Sequence, residues 1–150
     1  MSPLAIEKPR VTVRITRSFD ASPEEVFDAW LDPKKAKKFL FATPSGQMVR
    51  AEIDARVGGR FVFVDRRDGE EVEHTGEYLE IDRPRRLVFT FGVPQYTSEF
   101  TKVIIEITAR SKGCDLVLIH EGVWEDYATR TESGWNMILD ELNTTLSSPD

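Results

Sequence analysis

Apolar and polar residues along this chain follow a period of two, then a helical period, then a period of two again for most of the length. Val11, Val13, Ile15 and Phe19 alternate with Thr12, Arg14, Thr16 and Ser18, which marks a half-buried strand. Arg17 falls on the apolar side of that alternation. It is either paired inward with an acid such as Asp28 or Asp32, or it is an edge residue whose head reaches water. Ser22-Pro23-Glu24-Glu25 then opens a helix, with a capping serine, a first-turn proline and acids at the positive end. Val26, Phe27, Trp30 and Leu31 give that helix one apolar face, and Asp32-Pro33 ends it. A short second helix follows over Lys34–Leu40.

From Gln47 the period returns to two. Strands are expected over Met48–Ile53, Arg60–Val64, Val72–Ile81, Leu87–Phe91, Phe100–Ala109 and Cys114–Val123. Gly58-Gly59 reads as a tight corner or bulge, Asp68-Gly69 as a hairpin turn, and Ser111-Lys112-Gly113 as a second hairpin. Over Tyr127–Leu146 the helical period takes over, with Thr131, Trp135, Ile138, Leu139, Leu142 and Leu146 on one face. The order is one strand, two short helices, about six strands in a meander and a long C-terminal helix. This is an α+β pattern, a single domain with an antiparallel sheet and a core over about residues 10–146. The last helix is the only element long enough to cover one face of the sheet.

Alternation also assigns the inner face. Cys114, Leu116, Leu118 and His120 share one side, as do Val103, Ile105, Ile107 and Ala109. Leu87, Phe89 and Phe91 form a third set, Phe61 and Phe63 a fourth, and Val72, His74, Gly76 and Tyr78 a fifth. A bulge would flip any of these assignments. Both histidines therefore land among apolar residues.

Composition narrows the function. The 26 acidic residues exceed the 20 basic ones, for a net charge of -6, which argues against a dedicated nucleic-acid binder. One cysteine, Cys114, cannot form an internal disulfide, and the start of the chain has no apolar signal segment, so a cytoplasmic protein is expected. No apolar run approaches membrane-spanning length. Nine Phe, three Tyr and three Trp are the conspicuous feature. They either make a solid core or line a pocket where the sheet curls around the helix.

Motif chemistry is sparse. Two histidines on different strands, one cysteine and scattered acids give no metal-ligand spacing, and no cofactor is implied. No phosphate loop follows a strand, and Ser45-Gly46 and Ser133-Gly134 lack the flanks of a nucleophile elbow. His120 is either a ligand-facing group or a buried imidazole satisfied by its neighbours. The Lys34, Lys35, Lys37, Lys38 cluster reads as a solvated helix face. Gly134 weakens the last helix, so it lets the helix approach the sheet or leaves room at a cavity. Trp124 and Trp135 would then flank the opening.

Several motifs occur in order. They are Phe19-Asp20-Ala21-Ser22-Pro23-Glu24-Glu25-Val26-Phe27-Asp28-Ala29-Trp30 with Asp32-Pro33, then Asp54-Ala55-Arg56-Val57-Gly58-Gly59-Arg60-Phe61. Gly76-Glu77-Tyr78-Leu79-Glu80-Ile81, Leu87-Val88-Phe89-Thr90-Phe91, Leu116 to Gly122 and Gly134-Trp135 follow. Together they resemble the activator-of-heat-shock-protein-90-ATPase homologue family of the START-like (SRPBCC) superfamily, over about Arg10–Leu146. The resemblance implies a helix-grip fold, a curved sheet of about six to seven strands wrapped around a long C-terminal helix and enclosing a hydrophobic cavity. Where many relatives carry one or two tryptophans before a proline, this chain has Phe39-Leu40-Phe41 before Pro44, so a relative's ligand does not transfer.

The leading expectation is a pocket for a small hydrophobic or amphipathic molecule, in a monomer or weak homodimer without membrane insertion. Its candidate ligand-binding residues are Phe27, Trp30, Phe39, Phe41, Met48, Phe61, Phe63, His74, Tyr78, Phe89, Phe91, His120, Trp124, Trp135 and Ile138. The resemblance also implies two alternatives, a module acting on heat-shock protein 90 and an enzyme of the START-like cyclase or hydrolase type. No acid/base pair or nucleophile arrangement for the latter is legible; His120, Tyr78 and Glu121 are unconnected residues.

Overall fold

Helix starts and stops follow the capping chemistry of the sequence. In this computed structural model, which describes residues 9–41 and 46–147, Ser22 caps α1 (Pro23–Leu31). Its hydroxyl accepts the Glu25 N–H at 3.1 Å while its own N–H donates to the Glu25 carboxylate at 3.3 Å. Asp32 ends α1 and opens α2 (Pro33–Phe39), its carboxylate accepting the Lys34 N–H at 3.0 Å. Pro44 and Ser45 lie outside the described residues.

The strands are β1 (Arg10–Phe19), β2 (Gln47–Ile53), β3 (Arg60–Arg67), β4 (Glu70–Asp82), β5 (Arg86–Phe91), β6 (Thr101–Ala109) and β7 (Cys114–Trp124). A short 3-10 turn, Glu125–Tyr127, leads into α3 (Ala128–Ser147). All seven strands form one antiparallel sheet in the order β1-β7-β6-β5-β4-β3-β2. The meander therefore runs from β2 to β7, and β1 adds beside β7 at the far edge. Because β1 and β2 occupy opposite edges, α1 and α2 connect them across the inner face. The helix α3 packs on the same side, touching β1, β7, α1 and α2. It buries Trp135, Ile138, Leu139 and Leu142. This is the helix-grip arrangement.

The inner-face assignments hold along most strands. Cys114, Leu116, Leu118 and His120 are buried, as are Val103, Ile105, Ile107, Leu87, Phe89, Phe61, Phe63, Val72, His74 and Tyr78. Ala109, at the end of its strand, is exposed. Near Gly76 β4 changes partner, since its ladder with β3 runs to Glu77 and its ladder with β5 starts at Tyr78. A Cβ at Gly76 would lie 1.7 Å from the Thr90 carbonyl oxygen, so only glycine permits that crossing.

Three expectations change. Arg17 is paired inward, but with neither Asp28 nor Asp32. Its guanidinium reaches α3, donating to the Asp140 carboxylate at 2.6 Å and to Asn136 Oδ1 at 2.8 Å. Asp28 instead takes a two-pronged contact from Arg83, at 2.7 and 2.8 Å. Strand β3 runs to Arg67 rather than Val64, which places Asp65 on the inner face, fully buried. Finally, the register of β1 on β7 slips between Val11/Val123 and Val13/His120, and Gly122 there has φ +84°. One extra residue in β7 flips its alternation, so Val123 turns inward and Trp124 does not.

Candidate functional site

At the end of the sheet where α3 begins, a groove of about 300 Å³ opens between that helix and the inner face. Phe41, Arg67, His74, Phe91, His120, Thr131, Gly134, Trp135, Met137 and Ile138 line it. Strands β3, β4, β5 and β7 and the first half of α3 each contribute, and Phe41 enters from the residues after α2. A larger hollow of about 500 Å³ lies among β2, β3, β4 and the loop at Pro94 and Gln95. It is walled by charged groups, including the exposed Arg66–Glu71 pair, and gathers no buried polar side chain. The chemistry is at the first groove.

Phe41 is its hub. Helix α2 ends at Leu40, and the next residue takes φ +60°, a left-handed turn that glycine usually supplies after a helix. For a bulky side chain this backbone is strained, and packing must hold it there. The ring lies nearly parallel to His74, with centroids 4.7 Å apart and planes at 5°, and to Phe91, at 5.0 Å and 18°. Phe63 meets it edge-on at 5.9 Å, and Trp135 closes at 5.9 Å from α3.

Hydrogen bonds fix the state of both histidines. The Trp135 indole N–H can only donate, and it does so to His120 Nδ1 at 2.9 Å. The neutral ring therefore carries its proton on Nε2, which faces Thr101 Oγ1 at 2.7 Å. That hydroxyl donates onward to the Phe91 carbonyl at 3.2 Å. Helix, last strand and β5–β6 connection are thus tied by one directed chain. In His74 the proton sits on the other nitrogen. Arg67 Nη2 approaches Nε2 at 3.5 Å and has only donors, so Nδ1–H donates to the Phe63 carbonyl at 3.3 Å. Burial pushes both imidazoles down to about 4. With both nitrogens engaged within the fold, neither histidine has a lone pair free to act as a base.

Arg67 supplies the charge at the groove. Its Nε donates to the carboxylate of Asp65 at 2.7 Å, and the Asp65 side chain is completely covered while that of Arg67 is 34% exposed. The expected site residues divide accordingly. Phe41, His74, Phe91, His120, Trp135 and Ile138 meet at the groove. Phe61 and Phe63 pack beneath Phe41, and Trp30 stands one ring behind Trp135. Phe27, Phe39, Tyr78 and Phe89 are buried in the core, and Met48 is half-buried against it. Trp124 is elsewhere: after the bulge, its ring lies under the Arg10 guanidinium, 3.8 Å from the centroid. Arg67, Thr131 and Met137 were not among the candidates. Extending the Phe61/Phe63 alternation by two steps reaches Arg67, the signal that could have found it. Gly134 leaves room rather than letting the helix approach, because a Cβ there would meet nothing within 4 Å.

Among the described residues no group of His, Cys, Asp and Glu side chains could hold a metal ion, and no helix is long and apolar enough to cross a membrane. A curved sheet gripping a C-terminal helix, with an apolar groove between them, defines a START-like module of the general ligand-binding type. The chain belongs to the activator of Hsp90 ATPase homolog 1-like protein family, which matches it over residues 20–147. Solved structures agree. A protein from Chromobacterium violaceum is 28% identical with a TM-score of 0.84, over 93% of this chain and 98% of that one. A protein of unknown function from Staphylococcus aureus has the same TM-score at 19% identity, covering 95% and 96% of the two chains. An AHSA1-like protein from Aeromonas hydrophila, also 19% identical, has a TM-score of 0.79 over 91% and 92%. Among curated proteins, none matches this chain.

Proposed function

We propose that the protein binds a small, largely apolar molecule in the groove between α3 and the sheet, without transforming it. The observation that carries this reading is the convergence of Phe41, Phe91, Trp135, Met137 and Ile138 with two uncharged imidazoles around open space. Such a lining, mostly apolar with a few fixed polar groups, is what ligand pockets share. Gly134 supports it, since the helix tolerates a costly residue where a side chain would fill the groove.

The test uses Trp135 as its own reporter, titrating flat aromatic and acyl-chain compounds while following indole fluorescence and melting temperature. Gly134→Leu should keep the fold and abolish the response, because its side chain enters open space and occupies the groove. Binding that survives Gly134→Leu would place the ligand elsewhere and end this reading. The family's name carries a second reading, action on heat-shock protein 90. It rests on that name alone, and an unchanged chaperone ATPase rate on adding this domain is the expected result.

A further inference from the structure

Among the described residues, Arg67 is the one charged side chain that lines the groove, and its charge is already answered from inside the fold. Asp65 and Arg67 sit two residues apart on β3, so both project from the inner face. The Asp65 carboxylate is fully buried and holds Arg67 Nε at 2.7 Å. His74 and His120, the other polar groups beside Phe41 and Phe91, are held neutral by their hydrogen bonds. Among the described lining residues the groove is therefore charged at one point, and that charge is paired with Asp65.

That balance has a consequence for selectivity. Guanidinium has five N–H donors, and Asp65 and His74 account for two of them. A carbonyl oxygen can take one of the remaining N–H groups without disturbing the pair. A carboxylate must instead compete with Asp65 or stand as a second anion on one guanidinium, between aromatic walls that solvate charge poorly. The near-parallel rings of His74, Phe41 and Phe91 add a layered aromatic wall, which suits a flat ring system. Resting on the ligand-site reading above, we propose that the Asp65–Arg67 pair makes this groove selective for uncharged, flat aromatic ketones or esters over the corresponding carboxylic acids.

Three compounds on one naphthalene frame test this at neutral pH: acetonaphthone, naphthoate and ethylnaphthalene, substituted at the same ring carbon. On the native protein, acetonaphthone should bind about tenfold or more tighter than naphthoate, and several-fold tighter than the hydrocarbon. Arg67→Met should erase the advantage of ketone over hydrocarbon. Asp65→Asn should reverse the order of ketone and acid by leaving the guanidinium uncompensated. Should Asp65→Asn fail to fold, the native series and Arg67→Met still decide. Naphthoate binding as tightly as the ketone to the native protein overturns the proposal and leaves the ligand site standing. If none of the three binds, the ligand-site reading itself falls.

Discussion

Two buried indoles allow one hydrogen bond to be weighed against its absence. Trp30 and Trp135 are almost equally covered, at 1% and 3% exposure, and their rings are 6.4 Å apart. Trp135 Nε1 donates to His120, whereas Trp30 Nε1 has no partner among the described residues. Substituting phenylalanine removes a similar volume from each site. At Trp135 it also strands His120 Nδ1, a buried acceptor whose loss of its donor costs about 1–3 kcal/mol. At Trp30 it removes an unsatisfied donor, which offsets part of the packing loss. Trp135→Phe should therefore be the more destabilising change by about that amount in urea unfolding, and equal losses would show that the indole bond contributes nothing. Full truncation, Trp135→Ala, should cost roughly 3–5 kcal/mol, as for other large core aromatics. A loss near zero would contradict the packing of Trp135 against Phe41 and His120.

At the scale of elements, two glycines predict opposite outcomes. Gly134→Ala places a methyl in open space on α3 and should raise stability by about 1 kcal/mol through helix propensity. Gly76→Ala drives a methyl into the Thr90 carbonyl and should prevent β4 from crossing between its two partners. A thermal-melt series distinguishes them, and a destabilised Gly134→Ala would mean that α3 sits closer to the sheet. The same elements show how far sequence reasoning reaches. Period-two alternation located every strand and placed both histidines inward, because one face of most strands is buried in the core beneath the helices. It failed at β7 beyond His120, where the Gly122 bulge reverses parity and sends Trp124 out to Arg10. It also stopped β3 at Val64, since Asp65-Arg66-Arg67 looks like the approach to a turn. A buried carboxylate paired with an inward arginine is visible only once β4 fixes the register, with Phe63 opposite His74 and Asp65 opposite Val72. Arg17 has the same lesson in another form: its parity was legible, but its partner came from α3, far along the chain.

For the whole molecule, holding two neutral imidazoles at one end of the fold links stability to acidity. An unfolded imidazole titrates near 6.5, whereas burial holds both His74 and His120 near 4. Between those values the unfolded chain binds more protons than the folded one, so stability must rise with pH across the window and fall on acidification through it. Arg67 beside His74 acts in the same direction, with the Asp65 carboxylate opposing it. The limiting effect is roughly 3 kcal/mol for each histidine, spread over the whole interval. Carboxylates act at lower pH. Asp28, held below its usual range by the hydrogen bonds from Arg83, contributes stability that is lost only as pH falls beneath about 4. The two contributions are therefore separable. Urea midpoints measured between about pH 7 and about pH 4.5 should fall steadily for the native chain, and the His74→Gln/His120→Gln double variant should be nearly flat over that range. A native chain as stable at the acidic end as at neutrality would show that the histidines are protonated within the fold. The directed bond from Trp135 to His120 Nδ1 would then have to be absent. Because those bonds keep both imidazoles neutral within the fold, uptake of an uncharged ligand should stay unchanged over the same range for as long as the protein is folded, and indole fluorescence titrations repeated at each pH would register any loss.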